Sequence, residues 1–150
     1  MKRGVAMNVL NFTLYQEPLF DSETAYVQLQ IGKGKKQQPS IYMESHAFDY
    51  IRGVLWNSHR EFAHQKKINQ INNADWVRCL NGLKEAVVQL ETCKNPEHLM
   101  SILSIPNHLF SHKAVVFEHK DDLQTFLQDI ILWVETHLKK EKFILIIRHD

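Results

Sequence analysis

With 150 residues, 44% of them hydrophobic and 23% charged, and a formal net charge of +1, the chain has the make-up of one globular domain able to bury a real core. The near balance of charge excludes a uniformly basic nucleic-acid binder, and unbroken apolar runs such as Ile130 to Val134 are far short of the ~20 residues a membrane span needs. Two cysteines, Cys79 and Cys93, would lie roughly 21 Å apart if both sat on one helix, well beyond the ~4.4–6.8 Å between α-carbons that a disulfide tolerates; free thiols in a reducing cytoplasm are expected. Near the N-terminus, Asn8, Asn11 and Thr13 interrupt the apolar stretch, which argues against a secretion signal.

Leu10, Phe12 and Leu14 alternate with polar residues over 8–15, and Val27, Leu29 and Ile31 alternate with Gln28 and Gln30 over 24–31. A period of two marks strands with one buried face, and the Pro18-containing stretch between them predicts an N-terminal β-hairpin. Residues 32–40, with two glycines, a proline and three lysines, predict a loop, followed by a short strand over 40–44. From His46 to about Gln65, Phe48, Ile51, Leu55, Phe62 and Ala63 recur at helical spacing. Gly53, inside that helix, lowers helix propensity by roughly 1 kcal/mol relative to alanine, so the helix must rely on packing.

Residues 66–73 read as a polar connection. Asp75 then opens a second helix whose stripe is Trp76, Leu80, Leu83, Val87 and Leu90. Residues 95–105 form a short third helix, with Asn95 as its cap, Pro96 in the first helical position and Pro106 ending it. Residues 113–119 predict a strand. A long helix from Lys120 follows, with Asp121 and Asp122 at its start and lysines at its end, matching the macrodipole. The run over 142–148 is almost wholly apolar, as in a strand buried on both faces. If neighbours, the last two strands would be parallel with a right-handed crossover. The fold class expected is therefore α/β or α+β: a single domain over 1–150, with a mixed β-sheet, an N-terminal β-hairpin, central helices and a C-terminal β-α-β unit.

Chemistry is sparsely signalled. His59 and His64 are five apart and turn to different helix faces, unlike the i, i+4 pair of zinc proteases, and His46 adds no ligand spacing; no metal and no cofactor are expected. The glycines and lysines of 32–36 lack the frame of a phosphate-binding P-loop, although Lys33, Lys35 and Lys36 can still meet phosphate as point charges. Neither a Cys-x-x-Cys pair nor a Gly-x-Ser-x-Gly elbow occurs. Arg52 and His59 carry the one spacing with a catalytic reading. Arg-x6-His resembles the signature of the all-helical higher eukaryote and prokaryote nucleotide-binding ribonucleases. The resemblance implies a metal-independent ribonuclease in which histidine moves a proton and arginine stabilises phosphate charge. That family is all-helical, whereas this chain opens and closes with strands, and a structural role at the core edge is the default for both residues.

Surplus apolar and basic side chains point elsewhere. Leu132 and Trp133 lie off the core stripe of their helix, and Trp56 off the centre of its own. Residues 32–67 hold seven lysines and arginines, among them Arg60, Lys66 and Lys67, against three carboxylates. Tryptophan is enriched at interface hot spots, so Trp56, Arg60, Lys66, Lys67, Leu132 and Trp133 are the candidate partner-binding residues. The leading expectation is a cytoplasmic, non-enzymatic protein-binding module, most concretely a bacterial immunity protein that neutralises a cognate toxin by steric and electrostatic masking. A ribonuclease using Arg52 and His59 is the alternative, and a nucleic-acid-binding accessory protein is the second.

Overall fold

The computed structural model describes residues 11–18, 20–32, 39–59, 66–105 and 113–150. Four strands, β1 (Tyr26–Ile31), β2 (Ser40–Glu44), β3 (Ile68–Asn72) and β4 (Phe143–His149), form one sheet in the order β2-β1-β4-β3, antiparallel at every junction. The helices are α1 (Ser45–Ser58), α2 (Asn73–Glu91), α3 (Pro96–Leu103), α4 (Lys113–Glu118) and α5 (Lys120–Leu138). The architecture is α+β.

Strand alternation decides which sheet face the helices cover. Leu29 stands opposite Ile41 on one side and Ile146 on the other, and Ile31 and Ile71 flank Ile144. With Val27 and Met43 these residues are buried on one face. They meet Phe48, Ile51 and Leu55 of α1, Trp76 and Leu83 of α2, and Phe126 and Leu127 of α5 in one core. Trp76 is wholly buried and its indole Nε1 donates to the Ile144 carbonyl at 3.1 Å, joining helix layer to sheet. The other face carries Tyr26, stacked between Phe20 and His149 with ring centroids 4.6 and 4.5 Å away.

Several expectations are corrected. The sheet is wholly antiparallel rather than mixed, because residues 113–118 form α4 and not a strand; α4 and α5 precede β4 where a β-α-β unit is expected. Ala114, Val115, Val116 and Phe117 have a strand-like composition, but only Val116 of this segment is buried, and it is buried as part of a short helix against α3. Among the described residues the hairpin joins β1 to β2, and residues 11–15 do not pair with 24–31. Residues 8–10 lie outside the described residues, and Tyr15 makes an isolated bridge with Tyr42 on the far edge of β2. The first helix stops at Ser58, with His59 extended beyond it; residues 60–65, and Pro106, lie outside the described residues. The polar connection contains β3, in which Asn69 and Ile71 turn inward and Ile68 turns out.

Gly53 has a packing reason. A Cβ there would meet the backbone oxygen of Ser104 and lie 2.7 Å from that of Leu103, so α1 crosses the end of α3 at a distance only glycine allows. Propensity alone favours Gly53→Ala; backbone overlap, which cannot rotate away, reverses the sign. Gly53→Ala is expected to destabilise by about 1–3 kcal/mol in urea unfolding, and a gain in stability would show that the helices separate freely.

Burial holds the pKa of His149 below its usual value of 6.5, with Lys67 adding to the shift and Asp150 opposing it. Its Nε2 lies 2.8 Å from Gln28 Oε1. Because the folded state disfavours the imidazolium, stability is full above the unfolded-state pKa and declines as pH falls below 6.5. Unfolding midpoints from pH 8 down to pH 5 should show that decline, and His149→Gln should flatten it.

Candidate functional site

Helix α2 buries Trp76, Cys79, Leu80, Leu83, Val87 and Leu90, and its cap is built from sequence-local parts: Asn72 Oδ1 accepts from the Asp75 amide at 2.9 Å. Away from this stripe, Val77 and Val88 are eleven residues apart, three turns of helix, and therefore share a face. They are 52% and 64% exposed. Helix α5 runs antiparallel beside α2: Lys84 forms an ion pair with Glu135, and Gln124 Nε2 donates to the Val87 carbonyl at 2.9 Å. Leu132 of α5 is 64% exposed.

Val87, Val88, Ile131 and Leu132 line a groove of about 330 Å³ between these helices, with Lys84 and Glu135 at its rim. On the other side of Leu132 lies a second cleft of about 400 Å³, where Leu14, Ile41, Trp133 and His137 converge. His137 holds Trp133: the ring centroids are 4.4 Å apart, and Nδ1 lies 2.8 Å from the Trp133 carbonyl. Leu132 is thus a ridge between two largely apolar hollows. Such an arrangement can dock a side chain on each flank.

Of the six partner-binding candidates, Leu132 and Trp133 come together here. Trp56 packs against the core and is partly buried. Lys66 and Lys67 are exposed, and Lys67 lines a separate cleft with Phe20, Tyr26, Arg148 and His149, which belongs to the sheet face opposite the helices. Arg60, Lys33, Lys35 and Lys36 lie outside the described residues. Val77 and Val88 escape a reading by core stripe because they flank it, roughly 100° round α2; the signal is their common phase.

Arg52 and His59 engage different carboxylates. Arg52 forms an ion pair with Asp49 one turn back on α1. His59 is 6% exposed, caps the end of α1 through its amide to the Leu55 carbonyl at 2.8 Å, and has Nδ1 3.8 Å from Asp75 Oδ2 at the start of α2. No group of three metal-ligating side chains occurs among the described residues. Cys79 and Cys93 are buried, free thiols; burial, assisted by Asp75, pushes the Cys79 thiol up to about 12, so it stays protonated. No helix among the described residues is long and apolar enough to cross a membrane. Comparison with family models, curated proteins and solved structures gave no match, leaving the geometry to carry the functional argument.

The contrast between the two residues is measurable. Arg52→Ala should change stability by no more than about 0.5 kcal/mol, as for other exposed ion pairs, whereas His59→Ala should cost about 1–3 kcal/mol through the buried cavity and the lost polar contact. Equal, negligible costs together with loss of an RNA-cleaving activity would instead identify a catalytic pair.

Proposed function

We propose that the chain is a protein-binding module, most concretely a toxin-neutralising immunity protein that covers its partner's working surface. One observation supports the reading above the others. Among the described residues four large apolar side chains are exposed, and two of them, Val88 and Leu132, line the groove between α2 and α5. Exposed apolar side chains gathered on one face favour association, because contact removes them from water. The hollows beside Leu132 supply the pockets that anchoring side chains need, and the Lys84–Glu135 pair at the rim sets polarity and register.

The test is co-purification with the toxin encoded beside this chain, followed by titration of the complex. A 1:1 complex is expected, and Leu132→Glu or Val88→Glu should weaken it at least tenfold, about 1.4 kcal/mol, while leaving the thermal midpoint within a few degrees. No complex, or a complex indifferent to both substitutions, rejects the surface. Binding to mixed oligonucleotides that weakens steeply with salt would replace the reading with a nucleic-acid one.

A further inference from the structure

The two edges of the sheet differ. Strand β2 is blocked at its centre by the chain itself, because the Tyr15 amide donates to the Tyr42 carbonyl and the Tyr42 amide to the Tyr15 carbonyl, both at 2.8 Å. Strand β3 is the other edge, and the direction of its backbone groups follows from two bonds. The Arg148 amide donates to the Lys67 carbonyl at 2.7 Å, and the Asn73 amide to the Lys142 carbonyl at 3.0 Å. Bonded and non-bonded pairs alternate along an antiparallel ladder, so Asn69 and Ile71 turn their backbone groups toward β4. Ile68, Gln70 and Asn72 turn theirs away from it. All three residues are exposed, and among the described residues no backbone group meets Ile68 or Gln70 on that free side.

The usual protection of an open edge is missing. Edge strands are commonly blunted by a lysine, a proline or a bulge, but β3 reads Ile-Asn-Gln-Ile-Asn and keeps an unbroken register with β4 along its whole length. Only another extended backbone satisfies donors and acceptors that alternate along such an edge.

The strand is complementary to itself. In an antiparallel arrangement centred on Gln70, the Gln70 residues of two copies exchange both backbone bonds, and each Asn72 amide donates to the Ile68 carbonyl of the second copy. Side chains then pair Gln70 with Gln70 and Ile68 with Asn72, neutral throughout. Charge favours this orientation. It places the two Lys67 residues at opposite ends, about 20 Å apart at ~3.4 Å per residue and beyond the ~8 Å screening length, whereas an in-register parallel pairing would set Lys67 beside Lys67. Because Tyr15 blocks β2, pairing at β3 uses up the open edge and stops at two copies.

We propose that the β3 edge binds a second copy of this chain, giving a two-fold dimer whose sheet is continuous across both copies. A five-residue edge lies at the small end of interface sizes, so dimerisation depends on concentration. No residue lining the groove between α2 and α5 takes part. The test is sedimentation velocity of the full chain from low-micromolar to near-millimolar concentration, with amide hydrogen exchange at both extremes. The mass should rise from one chain to two, and exchange at the Ile68, Gln70 and Asn72 amides should slow about tenfold at the high end. Gln70→Pro removes an amide hydrogen that points away from β4 and should leave the chain monomeric throughout. Gln70→Lys and Gln70→Glu each set like charges face to face and should weaken the dimer about fivefold, while an equal mixture of the two should recover it. Thermal midpoints check that each variant is folded, and Leu132→Glu, on the α2–α5 groove, should dimerise as the parent does. A single-chain mass at every concentration, indifference to the Gln70 substitutions, a mixture no tighter than either charged variant alone, growth beyond two copies, or a dimer lost with Leu132→Glu overturns the proposal.

Discussion

The rest of the structure depends on β4 being hydrogen-bonded along both edges. Strand β4 stands between β1 and β3, so the β1–β2 hairpin and β3 have no direct ladder to one another. The connection is long-range: Gln28 and His149, in contact across β1 and β4, are separated by 121 positions. Contacts of that kind reward the chain only after a large loop has closed. Strand β4 also orients α2, through the Trp76 bond to the Ile144 carbonyl and the Asn73 amide bond to the Lys142 carbonyl at 3.0 Å.

Once oriented, α2 serves three surfaces at once. A helix with 3.6 residues per turn presents different stripes to different neighbours. One, from Trp76 to Leu90, fills the core. A second, with Lys84 and Val88, borders α5. A third, with Gly82, Glu85, Gln89 and the Thr92 cap, faces α1 and α3. The apolar groove and the contact with α1 and α3 are therefore two sides of one rigid rod, and their separation follows from helical phase.

Much of this organisation is legible in the residues. Trp76, Leu80, Leu83, Val87 and Leu90 recur at helical steps and all are buried. Asn95 and Pro96 mark the start of α3, where Asn95 Oδ1 accepts from the His98 amide at 2.8 Å. Strand β3 is not legible in the same way, since its inward residues are Asn69 and Ile71 while Ile68 is 54% exposed. Its register is set by the ladder to β4 along all five residues, extended at the ends by the Arg148 amide to the Lys67 carbonyl at 2.7 Å and by the turn into α2. Residues 113–118 mislead for a related reason: short β-branched runs carry a weak local preference, and tertiary packing overrides it. The leucine at 132 could be seen as surplus from the sequence, but its neighbours on α2 required knowledge of which helix lay alongside.

The close crossing of α1 over the end of α3 also ties the fates of two positions distant in sequence. What excludes a side chain at Gly53 is mainly the carbonyl of Ser104, and the direction of that carbonyl follows from the left-handed backbone at residue 104. Position 53 therefore has no fixed tolerance of its own. A glycine at 104, freer to turn its peptide plane, would relax the ban on alanine at 53, while a β-branched residue there would tighten it. The two sites form an epistatic pair, and sequence drift at either would be permitted or forbidden by the occupant of the other.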